Sequence, residues 1–362
     1  MADGWILVLN AGSSSLKFAA YDQHSLKGLA SSGQVAGIGK DAVLHFGETK
    51  QPTSAADHGA ALKAALDTLA PLGGPPSVVG HRVVHGGLQN QPVLINDNTR
   101  QIIKDAGAFA PLHNPPALKV IDALAARHPD LPQMACFDTA FHAGNPEVAT
   151  TFALPRELRE KGLRRYGFHG LSYASLVRRF RGVTGKPLPN RLLAFHLGAG
   201  ASIAAILNGK GVATTMGFSP LDGLTMATRA GSLDPGVVLH LLGKGEMDAE
   251  KVTHILNHES GLKALADDPE MKNLLASDGE NAKFAVEHFI YWAARHAGSM
   301  IAAMQGVDGI VFTGGIGENA APVRDGILDR LRWTRINPAR QVWVITADEE
   351  GEIAQAVKDL NQ

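Results

Sequence analysis

Residues 6–18 constrain this chain more than any other stretch. They run Ile6-Leu7-Val8-Leu9, then Asn10-Ala11-Gly12-Ser13-Ser14-Ser15, then Leu16-Lys17-Phe18. The aliphatic run predicts a buried strand, and a second strand from Lys17 to Tyr21 returns beside it. A tight glycine turn points backbone N–H groups at one spot, while Ser13 and Ser15 add hydroxyl donors and Lys17 a positive charge. Phosphate oxygens are bound by that combination. A plain β-hairpin with a polar tip has the same pattern, so the segment fixes an architecture before it fixes a ligand.

The pattern returns. Arg191 to Leu207 is again strand, glycine turn, strand, with His196 ending the first strand and Gly198 standing opposite Gly12, two residues before Gly200. One such hairpin early in each half predicts a duplicated fold that holds a nucleotide between the halves. A third glycine turn, Gly314-Gly315-Ile316-Gly317-Glu318-Asn319, follows an apolar run and opens a helix, a placement that suits anions. It also fits a loose dinucleotide fingerprint, but too few residues follow it for the further βα units of a Rossmann domain. The P-loop motif is absent.

The chain has 362 residues, more than one hydrophobic core holds, so two domains are expected. Its 34 basic and 35 acidic residues leave a formal charge of −1. No global field recruits nucleic acid or an anionic membrane, and phosphate recognition must be local. Cys136 is the single cysteine, which excludes an intramolecular disulfide framework and suits a reducing cytoplasm. No basic n-region precedes the short run Trp5–Leu9, and no stretch reaches the roughly 20 apolar residues that span a bilayer. A cytoplasmic protein with no membrane partner is expected.

Strand-like and helical segments alternate, as in mixed α/β proteins. Helices are expected over Asp57–Leu69, from Asn114 to about His128, over Ala282–Met304 and from about Glu349 to Leu360. Strands are expected over Ser77–Val84 and over Met134–Phe137, the second ending at Asp138. Asn114-Pro115-Pro116 reads as a helix start, a cap with proline in the first turn. The histidines build no metal site. His81 and His85 lie in a strand, and His254 and His258 share a helix face without a third ligand.

Eight collinear segments together resemble the acetate kinase (acetokinase) family: Asn10–Lys17, Gly80–Gly87, Pro111–Pro116, Phe137–His142, Arg165–Gly170, Met216–Leu224, Thr228–Arg229 and Gly314–Asn319. The resemblance implies an α/β fold of two actin-like, sugar-kinase-like (ribonuclease H-like) domains with a nucleotide cleft between them. One domain would comprise residues 1–140 and a C-terminal helix 351–362; the other, residues 141–350, would carry the nucleotide site and the dimer interface. It also implies a homodimer that phosphorylates acetate reversibly with ATP, giving acetyl phosphate and ADP, with Mg²⁺ or Mn²⁺.

Such a transfer needs no general base, because a carboxylate is already anionic near neutral pH. It needs cations that bring two anions together and stabilise the moving phosphoryl group. The resemblance assigns that work to Arg82 and Arg229, whose forks suit carboxylate and phosphate oxygens, to His169, and to His113 nearby. Asp138 would orient Arg82 or the acyl group. Lys17, Ser13, Ser15, His196, Gly198, Gly200, Gly314, Gly315, Gly317 and Asn319 would hold the nucleotide and its phosphates. Asn10 and Glu349 would stand on the metal side, acting through waters, with Glu350 the alternate if the register is one off. Thr346-Ala347-Asp348-Glu349 is also a capping box, and both roles are compatible. Val84, Leu112, Phe168 and Pro220 would enclose the substrate's alkyl end.

The chain departs from the family pattern in three places. Ala199 stands where Asn is usual, which removes an amide from the nucleotide side. Leu171-Ser172-Tyr173 replaces the usual Thr-Ser-His after His169-Gly170, and the tail after Asn319 is short. None of these removes a charged residue of the set. A propionate kinase is the alternative within the family, and a nucleotide-binding regulator that lost catalysis is the alternative outside it. Retention of Arg82, Asp138, His169, Arg229 and Glu349 argues against the regulator.

Overall fold

Two units make up the chain in a computed structural model that describes residues 4–30, 32–111, 113–243 and 247–360. The first unit comprises residues 1–143 with 348–362, and the second residues 144–347. Thirteen strands form two sheets among the described residues.

In the first unit the sheet order is β5-β4-β3-β2-β1-β6-β8-β7. The strands are β1 Trp5–Ala11, β2 Ser15–Asp22, β3 Gly33–Ala36, β4 Val43–Phe46, β5 Thr49–Pro52, β6 Val78–Val83, β7 Val93–Leu94 and β8 Gln133–Phe137. β1 is buried without alternation from Trp5 to Leu9, as expected of a strand covered on both faces. On one face the helices His58–Leu69 and Asn114–Arg127 pack Leu62, Leu69, Val120 and Leu124 against Leu7, Leu9, Leu16 and Phe18. Val79 joins that cluster, so Gly80, one residue on, faces the other side. There the helix Glu349–Leu360 comes so close that a Cβ on Gly80 would meet Ile353 Cγ2 at 2.4 Å. This glycine is what lets the last helix return to the first sheet.

The second unit repeats the central topology. Its strands are β9 Arg191–Leu197, β10 Ala201–Leu207, β11 Lys210–Thr214, β12 Gly309–Thr313 and β13 Val342–Val344, in the order β11-β10-β9-β12-β13. β3-β2-β1 and β11-β10-β9 are antiparallel meanders, while β6 and β8 follow β1 in parallel as β12 and β13 follow β9. The helices Gly170–Thr184 and Glu280–Ala303 belong to this unit. No helix among the described residues is long and apolar enough to cross a membrane.

Two helix starts differ from the sequence reading. Asn114 does not cap its helix. It is the first helical residue, fully buried, and its side chain accepts the His85 N–H at 3.1 Å and donates to the carbonyls of His85 and Ile103. His113 takes the cap position, and its side chain does not cap the helix. A buried amide that closes two distant backbone groups outweighs one exposed cap bond. At the last helix Asp348, not Thr346, accepts the orphan Gly351 N–H, at 2.9 Å.

Candidate active site

In the first unit the charged residues meet at the C-terminal ends of three adjacent parallel strands. Register places Asn10 of β1 beside Arg82 of β6, and Arg82 beside Cys136 of β8, with Asp138 just past that strand. Ligands of open α/β sheets bind at such carboxyl ends. Arg82 donates to Asp138 through Nε–Oδ1 at 3.1 Å and Nη2–Oδ2 at 2.6 Å, and its Nη1 donates to Asn10 Oδ1 at 3.3 Å. Glu349 Oε2 lies 3.6 Å from Arg82 Nε. Burial works against the charge on Arg82, but Asp138 and Glu349 more than offset it, so the guanidinium stays cationic. Asp138 is itself buried, which pushes its carboxyl up to about 6 against the pull of Arg82, with Glu349 adding to the rise. Val84, also buried, follows β6 directly.

The second unit brings His169 and Arg229 together around Gly200. His169 precedes the helix Gly170–Thr184 in the left-handed region, at φ 59°, a conformation uncommon for a side chain of this size. Its ring stacks on His196, centroids 4.1 Å apart. A Cβ on Gly200 would stand 3.2 Å from His169 Nε2 and 3.6 Å from Arg229 Nη1. The two donors therefore border one small space that glycine leaves open. Arg229 Nη1 also donates to the Pro220 carbonyl at 3.4 Å, and Phe168 beside His169 is buried.

The glycine turns have distinct local causes. Gly12 N–H donates to Ser15 O at 2.8 Å, and His58 Nε2 lies 2.8 Å from Gly12 O, which ties the turn to a helix. Gly198 N–H donates to Gly200 O at 3.0 Å in the matching turn. Gly314 has φ 79°, and a Cβ there would meet the Leu197 carbonyl oxygen at 2.7 Å. Gly198, Ala199, Gly315 and Asn319 line one cavity of about 750 Å³ with Met271 and Leu275. That volume lies within the range of small-molecule sites.

Not every expected residue joins these groups. Ser13 is exposed, Ser15 half-buried, and Lys17 lines another cavity of about 500 Å³ with His45, Asp348 and Glu350. Gly317 is buried and packs on Phe312 and Leu197, outside the residues that line the larger cavity. Leu112 lies outside the described residues. Three residues escaped the sequence reading. Glu318 Oε1 accepts the Gly314 and Ala347 N–H groups, each at 2.9 Å, and so fixes the third turn. Ser202 Oγ contacts His169 Nδ1, and the Tyr173 hydroxyl contacts Ser202 Oγ. Ser202 carried one available signal, its place opposite His196 in the second hairpin.

Two α/β units of one central topology, each carrying a glycine-turn hairpin, define the actin-like, sugar-kinase-like class of phosphotransferases. The Acetokinase family matches residues 5–354, and the chain belongs to that family. It is 47% identical over 349 residues to an acetate kinase of Rhodopseudomonas palustris, covering 91% of this chain and 86% of that one. A propionate kinase from Francisella tularensis superposes with TM-score 0.90 at 33% identity, over 98% of each chain. The acetate kinase of Porphyromonas gingivalis gives TM-score 0.89 at 30% identity, over 99% of this chain and 100% of that one.

Proposed function

We propose that the protein is an acetate kinase, transferring the γ-phosphoryl group of ATP to acetate in line and reversibly. The observation that carries this reading is the space at Gly200 that His169 and Arg229 border within the second unit; within the first, the forked, buried Arg82–Asp138 contact supports it. One acetate oxygen forms a bond to phosphorus as the bond from phosphorus to the ADP oxygen breaks. Arg82 attracts the carboxylate and Asp138 holds the fork in place. His169 and Arg229 donate to the equatorial oxygens, where charge develops. Val84, Phe168 and Pro220, with Leu112, bound the methyl group, and His113 assists. The cavity beside Ala199 holds the adenosine, with Asn319 at its rim and the glycine turns at His196–Gly200 and Gly314–Gly317 facing the phosphates; Ser13, Ser15 and Lys17 add donors.

Among the described residues no group of three or more His, Cys, Asp or Glu side chains could cage a metal ion. Asn10 and Glu349, with Glu350 next in the chain, offer hard oxygen donors beside Arg82. Such a set suits Mg²⁺ (or Mn²⁺) held through waters and the nucleotide's own phosphates, where it would neutralise phosphate charge. We also place the enzyme in the cytoplasm as a homodimer. The buried Cys136, its thiol pushed up to about 12 by burial, is inert and suits a reducing compartment. The apolar helix Pro235–Gly243 has no buried side chain, with Leu239 69% exposed, which supports a covering partner copy.

The test is ATP, Mg²⁺ and hydroxylamine with acetate, propionate and butyrate, trapping acyl phosphate as hydroxamate. Acetyl hydroxamate that depends on both ATP and metal is expected, with acetate the best substrate. No product above a protein-free blank from any carboxylate, with ADP still bound, would overturn the reading.

A further inference from the structure

His169 does not stand alone on its strained backbone. Its Nδ1 lies 2.8 Å from Ser202 Oγ, and Ser202 Oγ lies 2.6 Å from the phenol oxygen of Tyr173. Ser202 and Tyr173 are fully buried, one on β10 and the other on the helix that His169 precedes. A single serine proton is thus shared between a ring nitrogen and a phenol, and only some proton arrangements are self-consistent.

Tyr173 decides among them. Burial pushes its phenol well above the usual range, so the proton stays on; the Ser202 contact pulls the other way without prevailing. A phenol is the stronger donor and the weaker acceptor of the two hydroxyls, and Ser202 Oγ, at 2.6 Å, stands at short range to accept its proton. Ser202 then turns its proton to the remaining neighbour, Nδ1 of His169. A neutral imidazole that accepts at Nδ1 carries its hydrogen at Nε2. That nitrogen borders the space at Gly200 which Arg229 also borders. The His196 ring stacked on it disfavours both imidazoles carrying charge at once, since two such charges 4.1 Å apart would repel. His196 has its own hydroxyl partner, Ser172 Oγ at 2.8 Å from Nδ1.

We propose that Tyr173 and Ser202 are positioning residues that lock His169 in the Nε2–H tautomer, aiming a fixed donor at the transferring phosphoryl group. The role rests on the kinase reading above, but the tautomer does not. Tyr173 stands where the family pattern usually has histidine, so this chain builds the relay from a hydroxyl that cannot take a second proton.

The experiment is long-range ¹H–¹⁵N correlation on the resting, full-length enzyme with ¹⁵N-labelled histidine, assigned by His169→Gln. The expected spectrum shows an Nε2–H, Nδ1-acceptor pattern for His169. In Tyr173→Phe the pattern should shift toward a tautomer mixture, with kcat lowered about tenfold and the KM for ATP unchanged, the mark of an interaction made in the transition state. Ser202→Ala should do the same, and Tyr173→His should restore both signals in large part. An Nδ1–H pattern in the unsubstituted enzyme overturns the proposal, whether or not the variants fold. An unchanged ¹⁵N pattern in a folded Tyr173→Phe overturns it too. If the wild-type tautomer is as stated but no carboxylate is phosphorylated, the kinase reading fails and the relay stands.

Discussion

Arg82 grips Asp138 with both Nε and Nη2, at 3.1 and 2.6 Å, across 56 residues of sequence. The carboxylate is almost wholly removed from water while the guanidinium side chain keeps 20% of its exposure. The pair is therefore one-sided. Asp138 is spent inside the protein, and Arg82 keeps an edge open to solvent. Charge-assisted forks of this kind fix direction as well as distance.

Acid should open that fork. Burial lifts the Asp138 carboxyl to about 6, above its ordinary value of 3.8. The ionised form that holds Arg82 is complete only above that point, so kcat/KM should fall as pH drops through 6. The linkage to folding has the opposite sign. The unfolded carboxyl ionises at lower pH, so this group lowers stability above pH 6, and the penalty fades as pH falls from 6 toward 4. Asp138→Asn should lose activity by about a hundredfold and show no limb near pH 6. A pH–rate profile of the variant that keeps the limb would assign it to another group.

Arg229→Ala and His169→Ala should each lower kcat by about 10²–10³ while changing the KM for ATP little, as for donors aimed at developing charge. Steady-state kinetics at saturating acetate decide the matter. Near-normal turnover in either variant would remove that residue from the transition state.

Gly200→Ala tests the shared space directly. Its added Cβ would stand 3.2 Å from His169 Nε2 and 3.6 Å from Arg229 Nη1, close enough to press the imidazole aside by tenths of an ångström. The backbone there is not left-handed, so folding should survive. A kcat loss of about tenfold or more with an unchanged melting temperature is expected, since small misplacements at a reacting centre are costly.

Val84→Ala addresses acyl selectivity. Val84 is buried beside the Arg82 strand, and its β-branched side chain is stiff. One methylene in an apolar pocket is worth roughly 1–3 kcal/mol of discrimination. The variant should therefore favour propionate over acetate by about tenfold relative to the parent in kcat/KM. Unchanged ratios in a folded variant would make Val84 ordinary core.

Ala199→Asn restores the side chain usual in the family at the edge of the 750 Å³ cavity. Ala199 is exposed, and its carbonyl accepts the Ala227 N–H at 3.1 Å, a bond the substitution leaves in place. The KM for ATP should drop severalfold, by about the worth of one added hydrogen bond, with kcat held. A KM that does not move would mean the alanine costs the nucleotide nothing.

What the sequence determined is local. Apolar runs of strand length broken by glycine turns specified both hairpins, and the helices His58–Leu69, Glu280–Ala303 and Glu349–Leu360 follow from spacing of 3.6 within a residue or two. Motif resemblance supplied the charged set, but not what each member touches. Asn114 reads as a cap and is a buried bridge to His85, 29 residues away. Ser202 reached His169 across 33 residues, and Glu318 joined the third turn to Ala347 across 29. Periodicity sees neighbours two, three or four residues apart, whereas these partners are chosen by strand register and by burial. Once water is excluded, most polar groups must find a partner wherever the fold has placed one, and only the tertiary structure makes that choice.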